Sequence, residues 1–511
     1  MLAKVYACAM VGIDTQLVEV EVDVQMQGLP GWSMVGLLET AVKEARDRVS
    51  SAIRNSGYKL LNRRTIVNLS PGHVKKSGVH FDLAIAIGML TAWDVCTPPK
   101  GRRLLLAGEL SLTGQLLPIP GALLMSICAR DHQLDGIILP QENVEEAQLV
   151  SDVRVYGIST LADAVALINH ADPKPSPRPT RRPASKTSPL DFAEVRGQAT
   201  IKRGLEIAAA GNHHVLMVGP PGSGKTMLAE RLPSILPPLT PDEKLETMKM
   251  LSLHGLLRKG DAITDNRPFR APHHSASYVG LIGGGNQTPR LGEISLAHNG
   301  VLFLDELGEF HRHVLEELRQ PLESGMIRIV RSGLSLTYPA RFMLVSAMNP
   351  CPCGYLGHPR RPCVCSVSQI HSYRRRISGP ILDRIDLHLE VEPVSHHALM
   401  SDAKQESSSA IRDRIMIARE RQRKRLGNSP SCNAHICSRD LKRFCTLTPS
   451  TSALLEQATE KLLLSARAVH RVLKVARTIA DLEGSEAISA PHLAEALHFR
   501  PSEINGHPIE G

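Results

Sequence analysis

The stretch HHVLMVGPPGSGKTMLAERLP constrains this chain more than any other. A short apolar strand, VLMV, runs into Gly219-x4-Gly224-Lys225-Thr226, and a helical pattern follows. Glycines at Gly219, Gly222 and Gly224 let backbone N–H groups wrap phosphates, and the positive end of the next helix favours anions. Lys225 is placed to meet the β- and γ-phosphates of ATP, and Thr226 to ligate Mg2+. Pro220, Pro221, Ser223 and Met227 complete the expected cradle. A strand before and a helix after commit the surrounding residues to a doubly wound α/β domain.

Such a cradle needs an acidic partner at the end of another buried strand. NGVLFLDELGEF supplies Asp305, to hold Mg2+ through water, and Glu306, to polarise the attacking water. A third strand, ARFMLVSAMNP, ends in Asn349, an amide suited to orienting that water. In SGPILDRIDLHLEV, Arg384 sits between an aspartate and a strand, where it suits stabilisation of transition-state charge in a neighbour's site. Arg467, in LLLSARAVHRVLKVAR, begins a helix able to fold back over the nucleotide. For both arginines the spacing alone is weak evidence, and surface salt bridges are the default reading.

At 511 residues the chain exceeds a single core. Residues 1–169 alternate strand-like and helix-like runs: LVEVEVDVQM has period two, LLETAVKEARDRVSSAIRNSG is helical with a glycine stop, and RTIVNLSPG and RLLLAGELSL read as strands. HADPKPSPRPTRRPASKTSP, residues 170–189, reads as a flexible Pro- and Arg-rich linker. Residues 190–394 form the nucleotide-binding domain, and 395–511 carry apolar residues at helical spacing, as a helical bundle does. The net charge of +9 favours polyanionic partners, while 3% aromatics argue against a binder built on rows of stacking rings. The N-terminal stretch is not a signal peptide and the longest apolar runs fall short of a membrane span, so the expected setting is cytoplasmic, without a membrane partner. There the cysteines stay reduced.

Four of those cysteines lie in NPCPCGYLGHPRRPCVC, residues 349–365: Cys351, Cys353, Cys363 and Cys365. Four thiolates at these distances can close on one tetrahedral Zn2+ and stabilise a loop with no core of its own. Reduced packing cysteines and a redox role are the alternative readings.

The order of P-loop, LFLDE, AMNP, GPILDRID and SARAVHRVLKVARTIADLEG resembles the AAA+ ATPases of the magnesium-chelatase group. Within that group RPFRAPHHSAS, PRLGEISLAHNGVLFLDELGEFHRHVLEELRQPLESG and NPCPCGY look like the ComM/YifB family, hexameric helicases that drive DNA branch migration during natural transformation. The resemblance assigns Lys225 and Thr226 to Walker A, Asp305 and Glu306 to Walker B, Asn349 to sensor 1, Arg384 to the arginine finger and Arg467 to sensor 2. It also implies a C-terminal helical lid, a homo-hexamer, branched or single-stranded DNA as partner, and recombination proteins nearby. Two segments, RPFRAPHHSASYVGLIGGGNQTPRLGEIS and the hairpin-like MIRIVRSGLSLTYPARF, would then face DNA in the central pore, with Lys259, Arg328 and Arg331 as candidate phosphate contacts.

The N-terminal domain resembles the proteolytic domain of Lon proteases through GELSLTGQLLPIPGALLMS. Leu123 falls where that pattern has its lysine, and His80, within a residue or two, where it has its serine. Without nucleophile and base no peptidase chemistry is expected. Arg63, Arg64, Lys75 and Lys76 make a basic cluster suited to phosphate there. Two rival readings remain at this level: the ATPase subunit of a magnesium chelatase, and an ATP-driven remodeller of protein complexes.

Overall fold

The computed structural model describes every residue except 26–30, 62, 98–100, 171, 179–189, 258–264, 285–289, 332–333, 395–404, 428–431 and 501–511. The chain forms two compact units, one of residues 1–185 with 241–264, the other of 186–240 with 265–511.

In the first unit, the period-two run becomes β2 (Asp14–Gln25), with Val18, Val20, Val22 and Val24 buried and the acids between them less so. Alternation puts every second side chain on the core face. β2 pairs antiparallel with β1 (Leu2–Val11) and with β4 (Arg64–Ser70). β3 (Gly31–Val35), β5 (Leu104–Leu106), β8 (Gly136–Pro140) and β9 (Val155–Ile158) complete a seven-stranded mixed sheet in the order β3-β4-β2-β1-β5-β8-β9. RLLLAGELSL therefore splits between β5 and β6 (Glu109–Leu110), which pairs with β7 (Leu116–Leu117) in a separate ribbon. The helix Asp82–Ala92 is apolar on all sides and almost wholly buried. Its Gly88 permits close approach to the sheet, since a Cβ there would lie 2.8 Å from Val22 Cγ2.

Two boundaries differ from the sequence reading. The helix Pro241–Leu253 lies, in sequence, inside the expected 190–394 domain but belongs to the first unit. Met248 is part of a buried cluster with Leu123, Met125 and Ile127, and Leu245 packs against it. The Ser252 carbonyl accepts from Gly121 N at 2.8 Å, and the Ser252 hydroxyl donates to the Glu146 carboxylate at 2.5 Å. The other difference is the linker: residues 172–178 lack regular structure yet are tied down. Ser176 N donates to Val155 O at 2.8 Å and Ser176 Oγ accepts from Gly157 N at 2.9 Å. Composition marked this stretch as a tether; a serine pairing with the free edge of β9 pins it. The remainder, 179–189, lies outside the described residues.

The second unit holds a five-stranded parallel sheet in the order β11-β14-β17-β10-β18. Its strands are β10 (Val215–Val218), β11 (Phe269–Arg270), β14 (Val301–Leu304), β17 (Met343–Met348) and β18 (Leu387–Glu390). β14 and β17 are buried at every position, as parallel strands covered on both faces are. The P-loop leaves the carboxyl end of β10, where the strand order reverses. Open α/β sheets bind ligands at such a crevice. Part of the segment expected as a pore-facing insert is thus structural, because β11 is an edge strand of this sheet. The unit also holds two antiparallel strand pairs: β12 (Gly283–Gly284) with β13 (Arg290–Leu291), and β15 (Met326–Arg331) with β16 (Leu334–Pro339). The helices Ser408–Leu426, Ala466–Glu483 and Ala490–His498 share one buried cluster with the sheet, so the C-terminal helices form no separate unit. Among the described residues no helix is long and apolar enough to cross a membrane.

Candidate nucleotide site

Gly219 closes the end of β10 so tightly that a Cβ would lie 2.2 Å from Val391 O. Gly222 and Gly224 take φ of +75° and +89°, which favours glycine. The turn they permit delivers Lys225 as the first residue of the helix Lys225–Ile235, whose leading N–H groups point into the loop. From behind, Gln198 Nε2 donates to Ser223 O at 2.8 Å. The result is a cleft of about 420 Å³ lined by Pro221 to Met227 with Asp305, Glu306, Met348 and Asn349.

Inside it, Lys225 Nζ donates to Gly219 O at 2.7 Å, to Pro220 O at 2.9 Å and to Asn349 Oδ1 at 3.3 Å. Burial pushes the Lys225 ammonium down from its ordinary pKa, opposed by the nearby carboxylates of Asp305 and Glu306. Thr226 Oγ1 donates to Asp305 Oδ2 at 2.7 Å. The hydroxyl and the carboxylate expected to share one Mg2+ therefore already face one another. Ser223 Oγ is buried, and among the described residues it has no hydrogen-bond partner. A donor-rich loop, a lysine, and a hydroxyl–carboxylate pair on one side fit a nucleoside triphosphate with its magnesium.

Glu306 comes next, with φ of +51°, a left-handed conformation uncommon outside glycine, and its N–H donates to Asp305 Oδ1 at 2.9 Å. Its Oε2 lies 3.3 Å from Nδ1 of His274, a residue the sequence reading did not single out. His274 is delivered by β11, the neighbour of β14, and its ring meets Phe310 edge-on. The RAPHH run was the visible signal. What it lacked was the parallel pairing that brings it beside the acid.

The two arginines are placed differently. Arg384 is buried, with its guanidinium donating to Pro380 O and to the Glu323 carboxylate of its own chain, while its Nε has no partner among the described residues. It is not an exposed finger within one chain. Arg467 is exposed at the first turn of Ala466–Glu483. One turn later, Arg471 donates to Arg384 O at 2.8 Å and to the buried Asp386 carboxylate. Burial works against that carboxylate, yet Arg471 and His213 hold it well below the usual range.

Among the DNA candidates, Lys76 is overturned. It is fully buried, its Nζ donates to Pro71 O, and burial lowers its pKa. A side chain inside the core cannot touch phosphate. Lys75 is exposed and paired with Glu39, and Arg63 and Arg64 are exposed. Arg328 stands on the exposed face of its hairpin, opposite Thr337, whereas Ile327, Ile329, Leu336 and Tyr338 are buried. Lys259 and the Arg331 side chain lie outside the described residues. In the first unit His80 is buried, its Nε2 2.8 Å from Cys8 O, and burial pushes it down to about 4. Leu123 is also buried, so neither position offers a nucleophile or a base.

The four cysteines of 349–365 come together. Cys351, Cys353, Cys363 and Cys365 place one sulfur each within 4.8 Å of all the others. Cys351 Sγ lies 3.4 Å from Cys353 Sγ and 3.6 Å from Cys363 Sγ. Backbone N–H groups are aimed at the sulfurs: Cys353 N at Cys365 Sγ (3.3 Å), and those of Tyr355 and Val364 at Cys353, whose thiol they draw down to about 6. Converging sulfurs with N–H donors suit thiolates on a soft metal ion.

Comparison with known proteins covers nearly the whole chain. Family models described as magnesium chelatase, subunit ChlI, as subunit ChlI of Mg-chelatase, and as its C-terminal part match residues 191–399, 20–143 and 405–500. The chain is 45% identical over 508 residues to competence protein ComM of Haemophilus influenzae, spanning 98% of this chain and 97% of that protein. It is 44% identical over 502 residues to YifB of Escherichia coli, spanning 98% and 97%. The magnesium-chelatase 38 kDa subunit of Rhodobacter capsulatus is 26% identical over 182 residues, covering 32% of this chain and 52% of that subunit.

Proposed function

Because the chain belongs to the ComM/YifB family of magnesium-chelatase-like AAA+ ATPases, we propose that it is an ATP-driven motor that moves branch points in DNA recombination intermediates. The observation that carries this reading is full-length similarity to a competence protein, joined to a P-loop whose Thr226 faces Asp305 at 2.7 Å. Lys225 and the P-loop amides would bind the phosphates of ATP, Thr226 and Asp305 would hold its magnesium, Glu306 would polarise the attacking water and Asn349 would orient it. Chains assemble as a homo-hexamer, and Arg384 exchanges Glu323 for the phosphates of a neighbour's nucleotide. Hydrolysis then shifts the hairpin β15–β16, with Arg328 on its outer face, along the DNA backbone. Contacts of that kind are insensitive to sequence and weaken with salt. The first unit is a Lon-like scaffold without peptidase chemistry. The four thiolates hold a structural Zn2+, which the convergence of their sulfurs supports.

The test is strand exchange on synthetic three- and four-stranded junctions with ATP, with ADP, and with Glu306→Gln. Branch migration that needs both ATP and Glu306 is expected, with hydrolysis by the variant reduced at least about 100-fold. Junctions bound but never moved would turn the reading towards a remodeller of DNA-bound proteins, and no binding at all would remove DNA as the partner.

A further inference from the structure

The cysteine loop is an excursion from the end of β17 to the helix Val367–Arg374, and it meets the nucleotide site at both ends. It leaves two residues after Asn349, whose amide oxygen accepts from Lys225. Between the first two thiols and the last two the chain turns at Gly354, with φ of +83°. That glycine is pressed onto the P-loop: a Cβ there would lie 2.6 Å from Pro221 Cδ and 3.8 Å from Asn349 Cγ. A side chain would have to displace Pro221, so the loop and the phosphate cradle are packed as one piece.

The return arm is as constrained. Ser366, directly after Cys365, caps the helix, its Oγ accepting from Gln369 N and its N–H donating to the Gln369 side chain. Two turns on, buried Tyr373 turns its hydroxyl towards the backbone N–H of Asn349 and packs on Gly308, where a Cβ would lie 2.9 Å from its ring. Gly308 comes two residues after the Asp305–Glu306 pair. Cys351, Cys353, Cys363 and Cys365 therefore knot together the departing and returning arms of a loop that touches Pro221, Asn349 and Gly308.

We propose that the four-cysteine centre is a working part of the nucleotide site: with its metal bound, it holds the P-loop through Gly354 and the sensor asparagine through Tyr373. This rests on the zinc reading above. Gly354 and Tyr373 are positioning residues, acting on Pro221 and Asn349. No electron moves in this scheme; removing the ion protonates the thiolates and frees the two arms.

The experiment uses the full-length protein and three readouts: zinc per chain, affinity for a fluorescent ATP analogue, and ATPase kcat and KM. Chelator-stripped protein is expected to bind nucleotide roughly tenfold more weakly, about 1.4 kcal/mol, and to recover when zinc is restored. Gly354→Ala keeps all four thiols and is expected to retain zinc while losing affinity to a similar degree. Tyr373→Phe, which removes only the oxygen facing Asn349 N–H, is expected to lower kcat several-fold with little change in KM. A zinc-loaded Gly354→Ala and a stripped wild type that both bind nucleotide as well as untreated protein overturn the proposal and leave the zinc reading standing. Purified protein without zinc, and unable to take it up, removes the zinc reading and this proposal together.

Discussion

At the scale of single residues, the site turns on where Glu306 points. Its left-handed backbone and the His274 contact at 3.3 Å hold the carboxylate to one side of the cleft. Removing the imidazole frees it, so His274→Ala is expected to raise the DNA-independent ATPase about fivefold, the worth of a hydrogen bond of roughly 1 kcal/mol, in a steady-state phosphate-release assay. A second residue-scale expectation concerns acid. Burial pushes His80 and His214 down to about 4 and His388 to about 3. Each is neutral when folded and takes a proton more readily when unfolded, at about 6.5. Stability from these groups is thus complete above that value and is lost as pH falls from about 6.5 to about 4, at roughly 3 kcal/mol for each of the first two. Denaturant midpoints measured across that window should fall steeply, and His80→Gln should flatten the slope. Lys225, Thr226, Asp305, Glu306 and Asn349 were all legible in the sequence, because motif spacing fixes residues relative to their own strand end. His274, Arg471 and Tyr373 were not. Each reaches its place through a pairing between strands or helices distant in sequence, which spacing does not encode.

At the scale of elements, the hairpin β15–β16 is legible from its alternation and is present, with a buried and an exposed face. Alternation decides faces, and Arg328 falls on the face opposite buried Ile327 and Ile329. Replacing it is a test of the motor reading: Arg328→Ala should weaken binding of unrelated DNA sequences equally and lower the salt slope of log K by about one. DNA-free ATPase should stay at its ordinary rate. The basic cluster in the first unit fared worse, because a run such as KKSG looks solvent-facing from composition alone. Lys76 instead fills the core behind Pro71. The linker shows the same weakness: a Pro- and Ser-rich sequence reads as free chain, yet Ser176 finds the open edge of β9.

For the whole molecule, the domain order was evident and the cut points were not. Composition separates 1–169 from the remainder of the chain, but the helix Pro241–Leu253 buries Met248 in a cluster with Leu123, Met125 and Ile127, more than a hundred residues upstream. A fragment of residues 1–185 therefore lacks part of its core. It should bind a hydrophobic dye and melt early, and a peptide of residues 241–257 added in trans should reverse both, as read by fluorescence and thermal melts. Met248→Asp in the full chain should destabilise the first unit by about 3 kcal/mol, since it buries a charge with no partner. Order in sequence and order in time then part company. As the chain emerges from the ribosome, the first unit waits for Leu253 before it can close, by which point the phosphate loop has already been made. The first unit is no heirloom that could be passed on separately: a gene fusion or truncation placed at the apparent boundary would inherit it unfinished.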